Sequence, residues 1–205
     1  YGLQKLPHMN AAEIQAAREN YMDERSVRCN PQGKSVVIDK LPLNLVYLFL
    51  VHRLFPGSPI LFMLRDPRDA CLSCYFQSFD LQGAMPYFLD FNDTTNYYDR
   101  VMSLATETMA CIDNPLLTLR YENLVQDFET CMRSAVSFLG LEWHRDVLDY
   151  RRISQNRSIS TPSYQQVVQP LYNRSIGRWK HYRQHMEPGI NKLGQWVDHF
   201  GYPGE

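Results

Sequence analysis

The 205 residues contain no apolar run of membrane-spanning length; the longest, around 43–51, has the size of a core helix. There is no low-complexity tract and no internal repeat, which leaves an ordinary folded globular chain with the length for a single domain, 1–205, and a full core. Charge of one sign is not in excess either. The chain has 21 Lys and Arg against 22 Asp and Glu, so net charge supplies no reason for a nucleic-acid partner. Cysteine is sparse and odd in number, five in all, and Cys71 and Cys74 are the one close pair. A C-x-x-C inside an expected helix, without a second pair of ligands, is weak ground for a metal site. Buried, reduced thiols fit better, and with them a reducing, cytoplasmic compartment. A G-x-x-x-x-G-K-[ST] phosphate loop is absent. The chain opens on Tyr1 rather than Met, already within domain-like sequence, so a fragment or a processed form is expected.

What is there is organised around residues 60–79, ILFMLRDPRDACLSCYFQSF. Ile60 to Leu64 has the length and composition of a buried parallel strand. Asp66 then reads as an N-cap, Pro67 as the first helical residue and Asp69 as the acid that holds the turn, with the helix running to about Phe79. Arg65 falls at the carboxyl end of the strand, the edge where open α/β sheets bind ligands, and a helix N-terminus there attracts anions. The Arg65 guanidinium and the Ser73 hydroxyl have the chemistry to hold one phosphate between them. The alternative is an ordinary βα unit in which Arg65 pairs with Asp69.

Upstream, Asn10 to Glu13 is a capping box that opens a helix to about Glu24, with Ile14, Ala17 and Tyr21 on one face. Residues 30–33 read as a turn, and Ser35 to Ile38 as a short β-branched strand ending in Asp39-Lys40. From Pro42 and Asn44 a helix that is apolar nearly all round, and therefore buried, runs to Phe55-Pro56-Gly57. Downstream, a helix from about Asn96 to Ile112 carries Tyr97, Val101, Leu104, Thr108 and Met109 at helical spacing. A third strand, Leu116 to Leu119, ends in Arg120-Tyr121-Glu122. Asp127 caps the next helix, Gly140 ends it, and a last amphipathic segment near 188–200 presents Leu193, Trp196 and Val197. Each strand ends in charge and leads into a helix, which predicts an α/β domain of β-α-β-α-β-α order with a parallel sheet.

From Tyr150 through Met186 there is no acidic residue, while Arg151, Arg152, Arg157, Arg174, Arg178, Lys180 and Arg183 are basic. In a balanced chain this segregation points to a local anionic partner, or else to a solvated basic face paired with acids elsewhere.

A series of short motifs follows in one order: Asp39-Lys40-Leu41-Pro42-Leu43-Asn44, Phe55-Pro56, Arg65-Asp66-Pro67-Arg68-Asp69 with Ser73, Arg120-Tyr121-Glu122 with Leu124, and Gly140-Leu141. Thr161-Pro162-Ser163 with Gln166-Val167 and Gln169-Pro170 comes next, then Ser175 with Gly177-Arg178-Trp179. Together they resemble the PAPS-dependent sulfotransferases, the tail in particular the branch of tyrosylprotein sulfotransferases and of bacterial sulfotransferases fused to tetratricopeptide repeats. The resemblance implies a three-layer P-loop-like fold with a central parallel sheet flanked by helices. It implies 3'-phosphoadenosine 5'-phosphosulfate (PAPS) as sulfuryl donor without a metal, an acceptor with a hydroxyl group, and upstream tetratricopeptide repeats. Protein tyrosine, a carbohydrate and a small alcohol or phenol all remain open as acceptors.

Residue by residue, Arg65 and Ser73 match the pair that holds the donor's 3'-phosphate, Tyr121 a tyrosine contacting the nucleotide, and Arg178 a basic residue reaching its phosphates. Ser163 through Tyr172, with Gln166, Val167, Gln169 and Pro170, match a loop that wraps the donor. Lys40 matches a lysine of the transfer site, and Ser163 is likewise expected to be catalytic. The lysine's task would be to neutralise charge on the departing oxygen; the alternative for it is a salt bridge with Asp39 or another acid.

One departure stands out. The family's Pro-Arg-Ser-Gly-Thr-Thr type loop, whose backbone amides grip the 5'-phosphosulfate, has no counterpart here, nor has the base that follows it. The expectation is therefore the C-terminal two-thirds of the family domain, lacking the first strand and that loop and inactive by itself. Two rival readings are another P-loop transferase, such as a small-molecule kinase, and a catalytically incomplete nucleotide- or nucleic-acid-binding remnant. The pattern from Ser163 to Arg178 favours the sulfotransferase.

Overall fold

Asn10 and Glu13 cap each other. The Asn10 N–H donates to Glu13 Oε2 (2.8 Å) and the Glu13 N–H to Asn10 Oδ1 (3.0 Å), which opens helix α1 (Ala11–Arg28) as the capping box predicts. The computed structural model describes residues 3–28, 36–80, 82–150 and 171–204. The chain divides into two units, residues 1–60 with 101–115 and residues 61–100 with 116–205.

In the first unit, α1 is followed by a 3₁₀ turn (Pro42–Tyr47) that becomes α-helical as α2 (Leu48–Leu54). Ile14, Leu48 and Leu54 from these segments are buried, as is Leu6 in a preceding 3₁₀ turn, Leu3–His8. Arg18 donates to the Leu54 carbonyl and Arg53 to that of Met9 (2.8 Å). Asn114 holds the turn after α2, its Nδ2 donating to the carbonyls of Phe55 (3.1 Å) and Ser58 (2.9 Å).

Two expectations for this unit need correction. The helix that is apolar all round is not buried all round, for Phe49 is 45% exposed. Its one short α-turn packs on α1 and the 3₁₀ turns with one side only. The strand expected at 35–38 does not form over its described part. Val36 to Ile38 is coil with no ladder partner among the described residues, and Ile38 is 75% exposed. A β-branched triplet is strand-competent, but a strand exists only where a neighbour supplies the complementary N–H and C=O groups. Ser35 and the turn at 30–33 lie outside the described residues.

The second unit is built on a pair of parallel strands, β1 (Ile60–Leu64, whose first residue belongs to the other unit) and β2 (Leu116–Arg120). Phe62 and Leu64 are buried, whereas Leu61 and Met63 are 37% and 51% exposed. β1 is therefore covered on one face, not on both as its continuous apolar run predicts. Helix α3 (Pro67–Tyr75) starts where expected, with Asp66 accepting the Arg68 N–H (2.9 Å), but stops short of Phe79. Helix α4 (Phe91–Cys111) starts earlier than expected because Asp90 accepts the Asp93 N–H (2.9 Å) and so supplies a cap. Its residues to Arg100 belong to this unit.

Helices α5 (Tyr121–Gln126) and α6 (Phe128–Phe138) follow β2. Gly140, at φ +66°, ends α6, with the Leu141 N–H turned back to the Val136 carbonyl (3.0 Å). The last helix, α7 (Gly189–His199), closes a core of Cys71, Leu72, Phe91, Trp179, Met186, Ile190 and Leu193. α7 meets α4 at Gly189, where a Cβ would lie 2.9 Å from Thr95 Oγ1 and 3.1 Å from Phe91 Cδ1. The result is a mixed α/β fold, mostly helical around a small parallel sheet, of the P-loop-like kind. Among the described residues no helix is long and apolar enough to cross a membrane, and no group of His, Cys, Asp and Glu is placed to hold a metal ion.

Candidate functional site

Parallel strands end on the same edge, so β1 and β2 bring Arg65 and Tyr121 together. The Arg65 guanidinium lies 4.9 Å from the centroid of the Tyr121 ring, and its Nη2 donates to the Ser175 carbonyl (2.7 Å). Burial pushes the Tyr121 phenol above the usual tyrosine value; the Arg65 charge opposes the shift, and Tyr172 adds to it. The Ser175 side chain pulls the pKa of the Tyr121 phenol down. Arg65 Nε is buried and has no hydrogen-bond partner among the described residues.

The turn that carries Arg65 is held from three directions. Asp66 receives the Arg68 guanidinium on both oxygens (Nε 2.9 Å, Nη2 2.7 Å). Glu122, at the start of α5, accepts the Asp66 N–H on Oε1 (2.9 Å) and the Tyr202 hydroxyl on Oε2 (2.9 Å). Asp69 takes neither the part expected within α3 nor a pairing with Arg65. Its carboxylate accepts the N–H groups of Gly177 (2.6 Å) and Trp179 (2.8 Å). Burial raises its pKa above the usual carboxylate value, against the pull of those two N–H groups. The N-terminus of α3 is filled by its own Asp66 cap, with Arg68 neutralising that charge.

Of the other residues singled out in the sequence, Ser73 is exposed on α3, and no contact joins it to Arg65 among the described residues. Arg178 is exposed, with its guanidinium 5.1 Å from the Phe76 ring centroid and 5.6 Å from that of Tyr182. Lys40 is exposed and belongs to the first unit. Its neighbour Asp39 accepts the Tyr21 hydroxyl (2.9 Å) and the Asn44 amide (3.1 Å). Ser163, Gln166, Val167, Gln169 and Pro170 lie outside the described residues. Sequence reasoning had assigned no task to Ser175, whose carbonyl carries the contact, or to Glu122. For Asp69 a signal was available: Gly177 two residues before Trp179 marks a left-handed turn that presents its N–H groups to an anion.

The fold is of the P-loop-like α/β kind, and Arg65 and Tyr121 meet at one of its strand edges. The family model described as the sulfotransferase family matches residues 3–145, and the chain belongs to that family. It is 25% identical over 150 residues to a chicken (Gallus gallus) protein-tyrosine sulfotransferase 2, covering 69% of this chain and 39% of that protein. To a zebrafish (Danio rerio) protein-tyrosine sulfotransferase 1 it is 26% identical over 152 residues, covering 69% and 41%. An uncharacterized protein of Aquifex aeolicus is 25% identical over 181 residues, 88% of this chain and 23% of that protein. The chain thus spans between about a quarter and two fifths of the length of these relatives.

Proposed function

We propose that this chain carries the donor site of a sulfotransferase that moves a sulfuryl group from PAPS to a hydroxyl acceptor. The observation that supports it is the meeting of Arg65 and Tyr121 at one strand edge in a member of this family. The residues fit the donor: a buried guanidinium N–H without a partner suits a phosphate, and the Tyr121 ring beside it suits a base.

PAPS, when bound, supplies the sulfuryl group. Arg65 binds the 3'-phosphate with Ser73, Tyr121 and Tyr172 orient the nucleoside, and Arg178 reaches the remaining phosphate charge. Residues Ser163, Gln166, Val167, Gln169 and Pro170 wrap the donor. Lys40 would offset charge that builds as the sulfuryl group is transferred, and Ser163 would be the second catalytic residue. Because two relatives are named protein-tyrosine sulfotransferases, a tyrosyl hydroxyl is the first acceptor to try.

Calorimetric titration with adenosine 3',5'-bisphosphate tests the donor site, with 5'-AMP as the control ligand. The expected result is binding that needs the 3'-phosphate and is lost in Arg65→Ala while the thermal transition persists. Equal binding of the two nucleotides, or none by a folded chain, overturns the reading. Strongly salt-dependent binding of oligonucleotides instead would favour a nucleic-acid-binding remnant.

A further inference from the structure

Gly177 sits in the left-handed region (φ +69°, ψ +17°) and leads directly into a right-handed 3₁₀ turn, Arg178–His181. That succession turns neighbouring N–H groups into one concavity, a nest that takes an anion. The anion in it is Asp69, 1% exposed, whose Oδ2 accepts the Gly177 N–H and whose Oδ1 accepts that of Trp179. Arg178 is the residue between the two donors. Ser175, two residues before the nest, gives its carbonyl to Arg65. α3 itself does not need this carboxylate as its cap, since Asp66 fills that position.

From this geometry we infer that Asp69 is a positioning residue of the donor site. By filling the nest it fixes where Arg178 leaves the turn and where the Ser175 carbonyl meets Arg65. The inference rests on the donor-site reading above, although the nest is also measurable without a ligand. Asp69→Asn keeps the size of the side chain but leaves one acceptor oxygen where there were two.

The test uses the 205-residue chain as wild type, Asp69→Asn, Arg178→Ala and the double variant. It combines amide hydrogen exchange with titration of adenosine 3',5'-bisphosphate. In Asp69→Asn, exchange at Gly177 and Trp179 is expected to accelerate while cooperative unfolding persists, and affinity to fall about tenfold. The double variant is expected to lose less than the product of the two single losses, because both act through one turn. A purely structural Asp69 would show no such coupling. Wild-type affinity in Asp69→Asn, unchanged exchange at the two amides, or losses that multiply would each overturn the inference. Absence of binding by the wild type overturns the donor-site reading and this role with it, a result distinct from those three. If Asp69→Asn loses its cooperative transition, Gly177→Ala takes its place. That variant keeps the carboxylate and strains the left-handed turn; lowered affinity upholds the inference, and unchanged affinity refutes it.

Discussion

The guanidinium of Arg68 lies 4.0 Å from the centroid of the Trp179 ring, with Asp66 forked onto one edge and the Pro203 carbonyl accepting from Nη2 (2.9 Å). One buried side chain thus joins the β1–α3 turn, the turn before α7 and the end of the described chain.

Removing that guanidinium strands a buried carboxylate. Arg68→Ala is therefore expected to destabilise the chain by roughly 3 kcal/mol, as for one partner taken from a buried ion pair. Arg68→Lys should fall in between, because an ammonium keeps the charge but loses the fork and the flat stacking face. Urea unfolding checks this: the midpoint falls while the slope stays constant.

Two glycines of α7 should respond with opposite signs. At Gly194 nothing lies within 4 Å of an added Cβ, so Gly194→Ala gains helix propensity, up to about 1 kcal/mol. Gly189→Ala forces the methyl onto Thr95 and Phe91 and should cost about 2 kcal/mol, as overpacking does. Thermal denaturation of the two variants side by side decides it.

Asp127 supplies a pH signature. Thr130, through its side chain and its N–H, holds this carboxyl below the usual value. With the folded value below the unfolded one, the ionised group contributes stability above the unfolded pKa, and that contribution is lost as pH falls through the folded value. The stability gap between wild type and Asp127→Ala is thus expected to be flat near neutrality and to shrink below about pH 4. Melting curves at a series of pH values check it. A gap that widens in acid would refute it.

The thiols should separate by burial. Cys71 is 1% exposed and burial pushes its pKa well up, whereas Cys111 is exposed. Alkylation of the folded chain, mapped by mass spectrometry, should mark Cys111 and spare Cys71 until the chain is unfolded.

What was legible in the sequence was mostly local. The Asn10–Glu13 box, the Asp66 cap and the Asp127 cap each depend on residues within one helical turn, and each formed as expected. β1 was found at its predicted bounds, but the exposure of Leu61 and Met63 was not, since burial depends on what covers the second face. The failure at Val36 to Ile38 has the same root: composition does not contain the neighbour a strand needs. α3 ends at Tyr75, and the ring of the next residue, Phe76, packs edge-on against Tyr182 (5.0 Å), a residue absent from any local window. Arg65 and Tyr121, which meet at the strand edge, were marked by motif order. The acceptors around them were not, because Asp69 meets its donors 108 and 110 positions away, and a Ser175 carbonyl leaves no trace in a side-chain pattern.

Glu122 connects Asp66, 56 positions earlier, with Tyr202, 80 positions later. During synthesis these three segments leave the ribosome at widely separated times. α3 and β2 emerge with Arg68 lacking its Pro203 acceptor and Glu122 lacking the tyrosine hydroxyl, and both wait for residues 200–203. Such long closures make folding slow relative to chain growth. The nascent second unit therefore passes through an interval in which its polar lock is open and its apolar core is only partly covered, the interval in which chaperone capture and misassembly compete with completion.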